Sequence, residues 1–151
     1  MELEHRTLGS GCIAAALLLA GLACTQATFA SSIGAFAAVD AYRITTQQQL
    51  AECAEAFRRS YRRMWLTRSA ADYQGCIRRA QADATAKLAA AAHVVRKADA
   101  QRALVAYHAA FLAAIVGIEP YVGEPADGYE QRQSVLLHVM SHAWSRYELL
   151  E

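Results

Sequence analysis

The stretch from Asp72 to Ile118 constrains this chain most: it has no proline, a single glycine before its last residues (Gly75), and a large share of alanine. Alanine is the best helix former, so the stretch reads as helix. Its apolar residues recur in steps of three and four at Tyr73, Ile77, Ala80, Ala84, Leu88, Ala91 and Val95. That spacing puts them on one helix face. A second stripe follows at Leu104, His108, Phe111, Ile115 and Ile118, out of phase with the first. Either the helix breaks near Lys97–Asp99, or one rod of roughly 70 Å offers two faces to two neighbours.

The flanking segments supply those neighbours. Thr45 or Thr46, with Gln48 or Gln49 three residues on, has capping-box spacing and predicts a helix start. The stripe that follows is Leu50, Cys53, Ala54, Phe57, Tyr61, Met64 and Trp65. Ser69 and Asp72 repeat the capping spacing, which makes the first two helices a hairpin. Pro120, Gly123 and Pro125 end the long element, and Asp127 is placed to cap a last helix. That helix carries Tyr129, Arg132, Leu136, Val139, Met140, Ala143, Tyr147 and Leu150 on one side, with Arg132 expected at the stripe's edge. The expected fold is all-α: a long central helix, whole or broken near residues 97–99, with a shorter helix folded on each half. Two prolines and eight glycines in 151 residues leave little turn chemistry for a many-stranded fold.

The N-terminal region predicts export. No charged residue occurs from Thr7 to Val39, and Cys12–Cys24 is a nearly continuous apolar run. That run has signal-peptide length and is too short to span a bilayer. Small residues up to Ala27 and Ala30 offer cleavage points, although Glu2 and Glu4 replace the usual positive start. The expected organisation is a cleaved signal over 1–30, a flexible segment over 31–44 and a single helical domain over 45–151. Left uncleaved, residues 12–39 would anchor the chain in a membrane. Gly-Leu-Ala before Cys24 also resembles a lipoprotein cleavage site, with Gly21 where a larger aliphatic residue is usual.

After cleavage Cys53 and Cys76 remain, on opposite arms of the first hairpin, and an oxidising compartment favours a disulfide between them. Absence of Cys-x-x-Cys gives no support to redox catalysis. His138 and His142 share a helix face at the spacing of a two-histidine metal clamp, with His108 or Glu130 as a third ligand. Val139 stands where a metalloprotease motif has glutamate, so no catalytic metal is expected. Arg58, Arg59, Arg62 and Arg63 form a basic face that suits a helix C-terminus and reads as solvated surface. It lacks the interleaved aromatics of a nucleic-acid site.

No catalytic motif and no cofactor signature occur. The expected function is therefore a non-enzymatic periplasmic or secreted binding protein with an unidentified protein partner, or one that self-associates. The alternatives are a metal-binding protein using His138 and His142, or a membrane-anchored envelope protein. Val94, Val105, Leu112 and Val116 lie off the stripes and mark the expected interaction surface, joined by the four arginines. Residues 42–102 are rich in Lys and Arg and residues 103–151 in Asp and Glu, which would steer an acidic partner or align copies head to tail.

Overall fold

The computed structural model describes residues 37–61 and 71–151. Every regular element among them is a helix. Helix α1 covers residues 37–61, α2 Ala71–Val94, α3 Ala98–Val116 and α4 Ala126–Leu150. Residues Ala37–Glu151 form one compact unit. The export segment and the turn after α1, with Arg62, Arg63, Met64, Trp65 and Ser69, lie outside the described residues.

Of the two alternatives for the 72–118 stretch, the broken helix is the one observed, and there is no single rod. The chain leaves helical geometry at residues 95–97 and doubles back, so that the Tyr73 hydroxyl donates to Glu119 Oε1 at 2.8 Å. A straight helix would hold those residues roughly 70 Å apart. The reversal accounts for the phase change: each stripe faces inward once α2 and α3 are antiparallel. Buried Ala80, Ala84, Ala91 and Val95 meet buried Leu104, Phe111, Ile115 and Ile118 in one core, while buried Tyr73 packs edge-on against Phe57 of α1. The turn needs neither glycine nor proline, because Gln101 Nε2 reaches back to cap α2 through Val95 O at 2.7 Å. Lys97 O accepts the first α3 bond from Gln101 N.

The outer helices are not the shorter ones expected, since α4 has 25 residues and α3 has 19. Helix α1 runs antiparallel to α2, with Gln49 Nε2 donating to Asp83 at 2.5 Å and the Cys53–Cys76 disulfide closing the pair at a Cα separation of 5.5 Å. Helix α4 runs antiparallel to α3, with Arg132 Nη1 donating to Gly117 O at one end and Lys97 Nζ to Glu151 O at the other. Tyr42 and Thr46 of α1 reach His108 and Tyr107 of α3 across the diagonal. The result is an up-down-up-down bundle of four helices.

Two helix starts differ from expectation. Residues 37–44, expected to be a flexible lead-in, are helical, and Val39 and Tyr42 there are core residues. Thr45 and Thr46 are therefore interior, their hydroxyls bonding back to Ala41 O and Arg43 O, and they cap nothing. Pro125, not Asp127, occupies the N-cap of α4, and Asp127 sits in the first turn where its charge suits the helix dipole. Tyr61 and Val139, assigned to core stripes, are exposed.

Gly117 is buried where α4 crosses closest, and a Cβ there would meet Leu136 Cδ1 at 2.5 Å, Arg132 Nη1 at 3.0 Å and Ala113 O at 3.1 Å. Its φ of −66° is ordinary, so the need is for space. Gly117→Ala should cost about 1–3 kcal/mol through overpacking, read by urea unfolding. The disulfide closes a loop of 23 residues. Replacing Cys76 by serine should remove about 3 kcal/mol, and one free thiol from Cys53 should become titratable.

Candidate functional site

A groove of about 630 Å³ opens between α1 and α4. Its apolar lining is Leu50 and Ala54 of α1, Ile118 beyond α3, and Leu137, Met140 and Trp144 of α4. Wall residues run from Arg43 to Ala54 on α1 and from Gln133 to Glu148 on α4, so the groove follows the helices for about 16–22 Å. Gln47, Ser141 and Ser145 add polar edges.

Arg43 and Glu148 close one end. The guanidinium lies over the Trp144 ring at 4.8 Å, a cation–π distance, and Nη1 stands 3.6 Å from Glu148 Oε1. The same carboxylate oxygen accepts from Trp144 Nε1 at 2.6 Å, which fixes the indole against the groove. Arg43 Nε is buried with no hydrogen-bond partner among the described residues. Tyr107 forms part of the lining and packs edge-on against Trp144 at 5.2 Å. Among the described residues the groove walls include no histidine or cysteine.

Behind Tyr107 lies a buried polar cluster. Tyr107 and Thr46 hydroxyls are 2.8 Å apart, and Tyr42 hydroxyl and His108 Nδ1 share a hydrogen bond of 2.7 Å. Burial raises the pKa of both tyrosines and lowers that of His108, because each charged form would lose its water. The cluster thus joins α1 to α3 through neutral groups.

A second network sits at the opposite end of α4. Arg132 donates from Nε and Nη2 to the two Glu124 oxygens at 2.8 and 2.7 Å, and from Nη1 to Gly117 O at 2.8 Å. Its guanidinium also stacks on Tyr121 at 4.2 Å. The Arg132 hydrogen bonds hold the Glu124 carboxyl below the usual carboxylate range. Arg132 is thus the clamp of the α3–α4 connection, a role beyond the expected packed stem.

The expected site residues are dispersed. His138 and His142 are exposed on α4, while His108 is turned into the core by Tyr42, so the three do not converge. Among the described residues no group of three His, Cys, Asp or Glu side chains is placed to hold a metal. Arg58 is exposed and paired with Glu55 at 3.1 Å, and Arg59 is exposed. Val105 and Val116 are exposed, whereas Val94 and Leu112 are half-buried and pack against the core. The groove was missed because its α1 wall begins at Arg43, ahead of the expected helix start; Arg43, Gln47, Leu50 and Ala54 on one helix would have signalled it.

Compared with known proteins, the chain matches no family model, no curated protein and no solved structure.

The His108 environment sets a pH dependence. Its folded pKa lies below the free value of 6.5, so below about pH 6.5 the unfolded chain binds a proton that the folded chain resists. Stability is full above that pH and falls as pH drops toward the folded pKa. The midpoint of thermal unfolding should decline from pH 7.5 to 5, and His108→Gln should flatten that decline. An equal slope in the variant would assign the loss to other groups.

Proposed function

We propose that the protein is an exported, non-enzymatic binding protein whose ligand lies in the α1–α4 groove. The groove itself carries the reading: its volume is in the range of small-molecule sites, and its walls are mostly apolar with few convergent polar groups. Trp144, held by Glu148 and flanked by Arg43, provides a rigid apolar surface with one charged edge, which suits recognition without reaction.

Export is supported by two features. The Cys12–Cys24 apolar run has the length of a signal core. The Cys53–Cys76 disulfide fits an oxidising compartment. No helix among the described residues is long and apolar enough to cross a membrane. Periplasmic or secreted material whose mass begins near residue 28 or 31 supports the cleaved form. A chain retained in the membrane with residues 12–39 attached supports the anchored one.

The binding reading is tested with an environment-sensitive apolar dye. Wild type should bind it, and Ala51→Trp, which fills the groove from an exposed wall position, should weaken binding at least tenfold with helicity unchanged. Val105→Asp, on the far side of α3, should bind as wild type. Equal binding by wild type and Ala51→Trp would remove the groove as the site.

A further inference from the structure

Charge on the walls of the α1–α4 groove is confined to one end. Arg43 and Glu148 are the charged residues of its lining among those described, and they meet where the early turns of α1 face the last turn of α4. The two helices run antiparallel, so Ala54 and Leu137 lie toward the other end. Ile118 and Gln133 are there too, and the Gln133 amide is spent on Gly117 O. The groove is thus mostly apolar along its length and charged at a single mouth.

The two charged groups at that mouth are not equally committed. Glu148 Oε1 accepts the Trp144 indole hydrogen at 2.6 Å. Arg43 has five N–H donors. Its side-chain polar contact among the described residues is the approach of Nη1 to that same oxygen at 3.6 Å, too long for a hydrogen bond. Nε is sealed from water without a partner, while 33% of the side chain remains open. A guanidinium hydrated on one side only, with unused donors, gains more from an incoming acceptor than a fully hydrated one. Its position over the Trp144 ring, at 4.8 Å, holds it where the apolar wall begins.

The chemistry of the mouth selects the head of the ligand. A cationic head would meet Arg43 as a like charge, and a neutral apolar molecule would leave the Arg43 donors unused. A small anion without a tail would make no use of the apolar walls. A carboxylate on an apolar tail uses both: its two oxygens match the planar guanidinium fork, and its chain lies along Leu50, Leu137 and Met140. A phosphate head would bring a second negative charge toward Glu148 with no second cation on the walls.

We infer that the groove takes an amphiphilic monocarboxylate, a fatty-acid-like anion, with its head on Arg43 and its chain running along the α1–α4 walls toward Ile118. This rests on the groove being a ligand site and names the class of molecule it takes.

The test is calorimetric titration of the protein recovered from its producing cells. Wild type should bind decanoate at least tenfold more tightly than decanol, decylamine or decyl phosphate, and acetate should not bind. Ala51→Trp should abolish decanoate binding, and Arg43→Gln should reduce it to the level of decanol. Glu148→Gln keeps an acceptor for Trp144 Nε1 and removes the opposing charge, so it should tighten decanoate binding and leave decanol unchanged. If Arg43→Gln fails to fold, the comparison of heads on wild type and the sign of the Glu148→Gln shift decide. Decanoate binding no better than decanol, or weakened by Glu148→Gln, overturns the proposal. In that case the groove reading survives if the apolar dye still binds wild type and is lost in Ala51→Trp. Should neither dye nor decanoate bind, both fall.

Discussion

Burial of α3 is the interaction on which the rest of the bundle depends. Leu104, Tyr107, Phe111 and Ile115 are almost fully enclosed, and α3 contributes nine buried residues against three from α4. The other helices supply what α3 needs covered. From α2 come mainly small residues, Ala80, Ala84 and Ala91, which lose little water contact individually but bring the two backbones close. Larger side chains come from α1 and α4: Tyr42 meets Tyr107 edge-on at 6.0 Å, and Trp144 meets it from the other side at 5.2 Å. An alanine-rich hairpin with thin packing thus acquires an aromatic centre.

Polar groups then decide which of several helical packings is adopted. An apolar residue at Tyr42 or His108 would leave the other without its partner, at a cost of about 1–3 kcal/mol for a buried group. The same holds for Thr46 against Tyr107. These two hydrogen bonds are satisfied only when α1 crosses α3 in this register, so they discriminate against slipped arrangements that apolar contacts alone would tolerate. The disulfide fixes α1 to α2 independently and one turn away from the position equidistant about their turn.

Much of this was legible in the sequence, and the errors have physical causes. The Tyr73–Val95 stripe contains the buried residues of α2, because burial there follows helical period, whereas the second stripe names four of the nine buried on α3 and passes over Tyr107, because α3 is covered from more than one side. Their phase difference located the break but not its consequence, since a helix can end on a glutamine reaching back to its last carbonyls, and no glycine or proline announces Gln101 in that role. Thr45 and Thr46 have the spacing of a cap, yet the helix begins earlier and Gln49 spends its amide on Asp83 instead. Arg132 looked like an edge residue because nothing local shows that Gly117 O, Glu119 O and Glu124 converge on it. Long-range polar partnerships carry no period, so they are the features a pattern cannot supply.

Helix α4 stands between the two surfaces and sets their relation. Its Leu137, Met140 and Trp144 face the groove, while Val135 and Val139 lie on the flank toward the outside of α3. A rigid helix could transmit a ligand's push from one flank to the other, but coupling requires two positions of comparable energy. The contacts of α4 argue against a second position. Arg132 grips the α3 C-terminus and the intervening loop at one end. At the other, Lys97 holds the Glu151 carbonyl, and Arg43 stacks on Trp144 beside Glu148. Sliding or rotating α4 would break the Arg132 bonds to Gly117 O and Glu119 O together, leaving donors and acceptors unmatched. A helix pinned at both ends is a fixed wall, so a ligand in the groove is expected to leave the outer face of α3 unmoved.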